Sequence, residues 1–327
     1  MGTETFNPHS HAKVEAAPPP GFAVGENVKR QETQTAKKVD LVMWTYNGAQ
    51  TLPAVLKRID EVIPADSVGK RVISDDHSTD ATRQIAEAHG WTVVLNPGKG
   101  ISDNANNALR NVEAEFFVSF EQDLLLARDW WSKIPRALDD PKAAAASGMR
   151  FADKPRGVRA LQLYVARKYR GEAQLESWLR GREMAAFTLG KTLDNTIYRT
   201  AVVREVGGFP KLASSSGVDT ILAYEIDQHG YRWRVNYNVQ SVHMRKGLKQ
   251  ELNHQFWYAK QLPEIWRKIA AATHRQAPPV TKFGVIYRFA MSPATGLFMA
   301  YKTREPTLAY IHPLIRLYYL RGYLASG

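Results

Sequence analysis

From Val39 onward, short apolar runs alternate with stretches of helical periodicity, and that alternation leaves few folds open. Val39-Asp40-Leu41-Val42-Met43-Trp44 reads as a first strand that ends in the turn Thr45-Tyr46-Asn47-Gly48. Leu52, Val55, Leu56, Ile59 and Val62 then recur at helical spacing, with Pro53 tolerable in the first turn and Pro64 closing the helix. Residues 71–74 form a second strand running into Asp75-Asp76-His77-Ser78-Thr79-Asp80, where Thr79 or Asp80 would cap the next helix. Residues 91–95 and 116–120 repeat the strand, separated by a helix from about Ser102, and the alanines at 143–146 read as a buried strand or a closely packed segment. Strands alternating with helices of this length predict βαβ units, hence an α/β fold with a mostly parallel sheet flanked by helices. Such sheets gather their ligands at the carboxyl ends of the strands. The polar clusters Thr45-Tyr46-Asn47, Asp75-Asp76 and Glu121-Gln122-Asp123 all fall there.

Length and charge bound what surrounds this unit. The 327 residues suit one extended α/β domain with C-terminal additions. With no cysteine, disulfides, zinc–thiolate sites and thiol nucleophiles are excluded, which fits a reducing compartment. The net charge of +12 is concentrated: residues 231–327 carry 15 Lys/Arg against 3 Asp/Glu, while the preceding 230 residues hold 29 of each sign. A basic C-terminal third on a neutral body suits an anionic surface or substrate better than a nucleic-acid groove. No run of about 18 uncharged apolar residues is present, so a transmembrane helix is not expected. Residues 1–38, with Pro18-Pro19-Pro20 and no apolar core, read as a mobile tail rather than a signal peptide, and His9 and His11 within it as solvated.

Two segments offer chemistry that is weak singly and gains weight from their shared position. Glu121 and Asp123, two residues apart on an extended segment, can point the same way and offer oxygen ligands to a hard divalent cation. Asn96-Pro97-Gly98-Lys99-Gly100 precedes a helix, so its free backbone N–H groups and Lys99 can face a phosphate, although the spacing is not that of a P-loop.

Taken in order, these motifs resemble the family-2 inverting glycosyltransferases with the GT-A fold, over roughly residues 39–260. The resemblance rests on Trp44-Thr45-Tyr46-Asn47, Asp75-Asp76-His77-Ser78-Thr79-Asp80, Gly98-Lys99-Gly100, a degenerate Asp-x-Asp at Glu121-Gln122-Asp123, and Gly207-Gly208-Phe209. It implies transfer of a sugar from a nucleoside-diphosphate sugar, with Mn2+ or Mg2+ as cofactor. Trp44, Tyr46 and Asp75 would form the base pocket, and Asn47, Lys99 and Gln122 would add donor contacts. Asp123 would ligate the metal directly, Glu121 directly or through water, and His243 would complete the set. Asp219 matches the family's catalytic base, although Val218 replaces the acid that usually precedes it. Plainer readings remain open at this stage: Trp44 as core, Asp75 and Asp219 as capping carboxylates, His243 as structural. Arg245, Lys246 and Lys249 resemble a basic segment that closes over the diphosphate, while Phe256-Trp257-Tyr258 reads as core. The resemblance divides the chain into the tail, a catalytic domain at 39–260 with donor (39–125) and acceptor (126–260) halves, and a basic amphipathic helical region at 261–327.

That last region mixes Phe283, Val285, Ile286, Phe289, Leu297, Phe298 and Met299 with Lys282, Arg288 and Lys302 around a break at Pro293. A second set at residues 311–324 has cations at Arg316 and Arg321 and resembles the closing segment of relatives that work at membranes. Both sets are read as helices lying in the headgroup layer, against the alternative of amphipathic helices packed on the catalytic domain. On this reading the protein is cytoplasmic, peripheral to the inner face of an anionic membrane, and acts on a polyprenyl-phosphate or lipid-linked glycan. Two other functions compete: a nucleotidyltransferase, which would release pyrophosphate, and a basic nucleic-acid-binding protein, for which no motif is present.

Overall fold

All seven residues of β1 (Val39–Thr45) are buried, and the sheet is built outward from them. The computed structural model describes residues 38–168, 188–212, 217–244, 247–273 and 280–326. Apart from Lys38, the tail with His9 and His11 lies outside the described residues, as do Arg245 and Lys246.

The further strands are β2 (Val68–Asp75), β3 (Thr92–Leu95), β4 (Phe116–Glu121), β5 (Leu124–Leu125), β6 (Ala143–Ala152), β7 (Thr196–Arg199) and β8 (Arg232–His243). Helices α1 (Leu52–Val62), α2 (Thr82–Ala88), α3 (Gly100–Arg110), α4 (Trp130–Lys133), α5 (Arg156–Lys168), α6 (Thr200–Glu205) and α7 (Val218–Gln228) lie between strands. Four more, α8 (Leu248–Thr273), α9 (Lys282–Ala290), α10 (Ser292–Thr303) and α11 (Leu308–Leu324), follow β8. The described strands form one sheet in the order β3-β2-β1-β4-β7-β6-β8-β5. Its first four strands are parallel, as the alternation predicts. Beyond them β7 runs antiparallel to both neighbours, β8 is parallel to β6, and β5 closes the edge antiparallel to β8.

Strand alternation divides the core between the two faces of this sheet. Val39, Leu41 and Met43 join Phe116, Val118 and Phe120 under Leu52, Val55, Leu56 and Ile59 of α1. Val42, Trp44 and Phe117 face the other way and pack with Ala105, Ala108 and Leu109 of α3 and with Ile221 and Leu222 of α7. The exception to this apolar pattern is Asp40, buried in β1. Its Oδ1 accepts the Lys70 N–H at 2.8 Å, and its Oδ2 accepts those of Glu113 at 2.7 Å and Ala114 at 2.9 Å. One carboxylate thus fastens the start of β1 to β2 and to the approach to β4.

One local expectation changes. Ala81 occupies the capping position of α2 rather than Thr79 or Asp80. Asp80 still accepts the Thr82 N–H at 3.0 Å, together with that of Ala49 at 3.1 Å.

The larger change is at the C-terminus. The final helix α11 packs one face inward: Leu308, Ile311 and Ile315 are buried, the last two against Val158 of α5 and Leu252 of α8. Two glycines permit this packing. A Cβ at Gly322 would collide with the Phe256 carbonyl, and one at Gly296 would stand 2.9 Å from that of Leu308. Most of the large apolar residues that face outward in this region belong to α9 and α10, with Tyr310 and Leu324 of α11 also exposed. The aromatic cluster expected in the core is divided, with Tyr258 packed against it and Trp257 36% exposed.

Replacing Asp40 with alanine orphans three backbone donors, each costing about 1–3 kcal/mol when buried without a partner. Asp40→Ala is expected to lower unfolding free energy by roughly 3 kcal/mol or more in denaturant titration. Asp40→Asn, which keeps one acceptor oxygen, should lose less.

Candidate active site

β4 ends at Glu121 and β5 begins at Leu124, so Gln122 and Asp123 occupy the turn between them. The β5–β8 ladder sets Leu124 opposite His243, and the Met244 N–H donates to the Asp123 carbonyl at 2.8 Å. Backbone pairing thereby brings His243 Nε2 within 3.1 Å of Asp123 Oδ2 and 4.0 Å of Glu121 Oε2. One ligand atom from each of the three residues lies within 4.8 Å of the others. His243 is nearly buried, and the two acids are partly open to the cleft. Two carboxylates and an imidazole at this separation fit a divalent cation of the Mn2+ class.

Beside this cluster stands Arg150, which in β6 is in register with Ser241 of β8. Its Nη1 is 2.7 Å from Asp194 Oδ1 and 3.3 Å from Glu121 Oε2, and the Asp194 side chain has no solvent exposure. Burial disfavours the guanidinium's charge, but the fields of Asp194, Glu121 and Asp219 outweigh it and raise its pKa beyond the ordinary arginine value. Asp219 belongs to the same charge group. It is the second residue of α7, whose capping position is held by Gly217 in the left-handed region at φ 87°. Its Oδ1 accepts the Thr220 N–H at 2.8 Å. Burial pushes the Asp219 carboxyl above the usual carboxylate range; Arg150 and the Thr220 N–H oppose that shift, and Asp194 adds to it. A carboxylate of raised pKa is a stronger base at neutral pH than a solvated one. Sequence reasoning gave Arg150 and Asp194 no role, and the one available signal was a cation within the buried run of β6.

A cleft of about 320 Å³ leads away from Glu121 and Asp123, walled by Trp44, Thr45, Tyr46, Asp76, Gly100 and Asn104. Two buried polar atoms in this wall make no hydrogen bond: Trp44 Nε1, a donor, and Asn104 Oδ1, an acceptor. Trp44 meets both of its sequence readings, for its ring packs edge-on against Phe209 at 5.9 Å while the residue lines the cleft. Tyr46 is 58% exposed at the rim. Gln122 clasps its backbone, accepting the Tyr46 N–H and donating to the Tyr46 carbonyl, both at 2.8 Å.

Three other residues expected at the donor are placed differently. Asp75 is fully buried; its oxygens accept from Thr45 Oγ1 at 2.9 Å, Ser78 Oγ at 2.6 Å and Ser78 N at 2.7 Å. The neighbouring Asp76 is the acid that lines the cleft. Asn47, at φ 48°, accepts the Thr79 N–H and builds the turn. Lys99 is exposed at the capping position of α3, and it is Gly100, beside it, that reaches the cleft wall.

A sequence model described as glycosyl transferase family 2 matches residues 40–205. No curated protein matches the chain. Among solved structures, the mannosyltransferase PcManGT from Pyrobaculum calidifontis, in complex with GDP-Man and Mn2+, is similar with a TM-score of 0.60 and 21% identity, over 90% of this chain and 88% of that one. Glucosyl-3-phosphoglycerate synthase from Mycobacterium tuberculosis, in complex with Mn2+, UDP and phosphoglyceric acid, follows with a TM-score of 0.51 and 18% identity, over 75% and 81%. At these identities the likeness shows the fold, the mixed α/β sheet of the GT-A class.

Removing the shared cation leaves Asp194 buried and unpaired, which typically costs about 3–5 kcal/mol. Arg150→Met is therefore expected to lower the melting temperature strongly. Arg150→Lys should recover only part of the loss, because an ammonium is a point charge and cannot fork between two carboxylates. An unchanged melting temperature in the methionine variant would show that the pair does not hold the cleft.

Proposed function

The chain belongs to glycosyl transferase family 2, and from that premise we propose that it transfers a sugar from a nucleoside-diphosphate sugar to an acceptor by single displacement, inverting the anomeric centre. The observation that carries the reading is the Glu121–Asp123–His243 cluster at the mouth of a cleft whose wall holds an unpaired donor and acceptor. Trp44 Nε1 and Asn104 Oδ1 suit the hydrogen-bonding edge of a nucleobase, and Tyr46 offers an aromatic face at the rim. The two similar structures carry Mn2+ with a GDP-sugar or UDP. A divalent cation held here by Asp123, Glu121 and His243 would neutralise charge on the leaving diphosphate.

The remaining chemistry falls to the chain's own groups. Asp219 takes the acceptor proton as the nucleophile attacks C1 on the side opposite the leaving group. Arg150 keeps Asp194 paired and Asp219 in a positive field, so the proposed base stays available near neutral pH. Residues 39–125 supply the donor half and 126–260 the acceptor half. The concentration of positive charge beyond Tyr231 supports a lipid-linked acceptor, a polyprenyl-phosphate or a glycan carried on one, at the cytoplasmic face of an anionic membrane. No helix among the described residues is long and apolar enough to cross a membrane, so the contact would be peripheral.

Thermal shift tests the donor site, because a ligand that binds the native state raises its melting point. Wild-type protein should be stabilised by a nucleoside diphosphate only when Mn2+ or Mg2+ is present, and Asp123→Ala should abolish that stabilisation. Glu121→Ala should weaken it less. Full stabilisation of the Asp123 variant would move the metal elsewhere.

Asp219→Asn is expected to lower turnover by about 10²–10⁴-fold with donor binding intact. Wild-type turnover should rise with pH as Asp219 loses its proton, at a pH above the usual carboxylate range. The same residue makes a stability prediction of defined sign. Because its pKa is raised by folding, its contribution is fully present below the ordinary carboxylate pKa and is lost as pH rises through the raised value. Asp219→Asn should therefore be more stable relative to wild type at neutral pH than in acid. Near-normal turnover together with an unchanged pH dependence of stability would return Asp219 to a structural part.

A further inference from the structure

Helices α9 and α10 each present an apolar stripe outward. On α9, Phe283, Ile286, Tyr287 and Ala290 recur at helical spacing and are exposed, Phe283 to 78%, while Val285 behind them is buried. On α10 the stripe is Ala294, Leu297, Phe298 and Tyr301, the last 80% exposed, with Ser292 and Gly296 on the buried side. Soluble surfaces scatter such side chains singly; two ordered stripes on consecutive helices mark a contact surface.

Cations flank the stripes. Residues 281–305 hold Lys282, Arg288, Lys302 and Arg304 against the one acid Glu305. Where α10 ends beside the end of α5, a cavity of about 510 Å³ is lined by Arg167, Lys168, Lys302 and Arg304, with Leu163 and Tyr164. Arg304 caps α10 in the left-handed region at φ 56°, a position that ordinarily goes to glycine. The ends of two helices attract some positive charge of their own accord. That does not explain why the cations stand in the same turns as the apolar stripe: Lys302 Nζ lies 5.8 Å from the centre of the Phe298 ring, and Tyr301 is its neighbour in sequence.

We propose that α9 and α10 form a docking surface for an anionic bilayer, with their stripes entering the headgroup–acyl boundary and the basic cavity receiving a lipid phosphate. This rests on the peripheral, lipid-linked reading above and names the surface that serves it. A second copy of the chain is a poor occupant, because a two-fold contact through this face would set its excess of cations against the same excess on the partner. Aliphatic side chains such as Ile286 and Leu297 favour hydrocarbon over a nucleic acid, whose contacts with such a face would come from stacking on the aromatic residues alone. A bilayer meets both features, taking the apolar residues into its interface and the cations at its phosphates.

Flotation of the full chain with vesicles of phosphatidylcholine alone, or of phosphatidylcholine and phosphatidylglycerol in equal parts, tests the assignment. Wild-type protein should float with the mixed vesicles at low salt and leave them at high salt. Leu297→Ser with Phe298→Ser should weaken binding about tenfold or more, and Arg167→Gln, Lys302→Gln and Arg304→Gln together by roughly a hundredfold. Both variants should keep metal-dependent stabilisation by a nucleoside diphosphate, which shows that they fold. If that stabilisation is missing from wild type while flotation behaves as expected, the donor reading falls and the docking surface stands. The proposal is overturned if wild type ignores the mixed vesicles, or if neither variant changes flotation. It is equally overturned if the serine variant breaks up a dimer of the wild-type chain, if inorganic phosphate binds the cavity while the apolar substitutions leave flotation intact, or if single-stranded RNA rather than vesicles is lost by the glutamine variant.

Discussion

Arg150 is the cation around which the acids of the cleft are arranged. Asp194 and Glu121 touch it directly and Asp219 feels its field, while Asp123 leans on His243 instead. Among the described residues, four carboxylates stand around this one guanidinium. Its Asp194 side is fully buried, while Arg150 and Glu121 are partly open, and a charge pair about 4 Å apart near a protein surface interacts by roughly 4 kcal/mol. A single arginine thus fixes Asp194 and Glu121 beside the point where Glu121 and Asp123 open to the cleft. The same arginine ties β6 to the end of β4 and to the approach to β7, so the site's geometry depends on the mixed half of the sheet.

That half was the part hardest to read from sequence. The parallel half was legible because its signals are strong: short apolar runs in β1 and β4, and helical spacing in α1. Their polar turns then fall at the carboxyl ends by topology alone. β5 is two residues long and β7 four, too short to carry a period, and both are positioned by partners distant in sequence. Neighbouring residues at a strand end point opposite ways, so a pair such as Asp75-Asp76 announces a ligand acid without saying which of the two it is. The structure gives the cleft to Asp76 and makes Asp75 the buried knot of the turn. Arg150 and Asp194 were illegible for a related reason, since what makes them a pair is a crossing of strands. In the C-terminal region, α9, α10 and α11 share one composition, and composition does not say which helix has a partner. Gly296 and Gly322 were the available clue, because small residues mark where helix backbones approach closely.

Several residues of the donor motif also hold the turns that carry it. Gln122 holds the backbone of Tyr46 from both sides, Asn47 holds Thr79, and Asp75 holds Ser78 and Thr45. Each bond uses a polar side chain to fix a turn beside the cleft. The return is entropic, since a loop already fixed in its bound shape loses less freedom when a ligand arrives. Residues that look like contacts in a motif therefore include many that act one step removed.

The charge balance of the cleft also bears on which lipid-linked acceptor fits it. A phosphate monoester carries between one and two negative charges at neutral pH and is already a nucleophile, so it needs no base. Brought to Asp219, it would meet a second anion, and like charges about 4 Å apart near a protein surface repel by roughly 4 kcal/mol. A sugar hydroxyl has the opposite requirements. It is neutral, so it enters without repulsion, and its proton must be removed as the bond to C1 forms, which suits a carboxylate whose pKa burial has raised. The proposed base therefore suits a hydroxyl acceptor better than a bare phosphate. On the proposed membrane reading, the basic surface of α9 and α10 would hold the protein where a lipid-linked glycan is anchored, with the phosphate of the carrier outside the catalytic cleft.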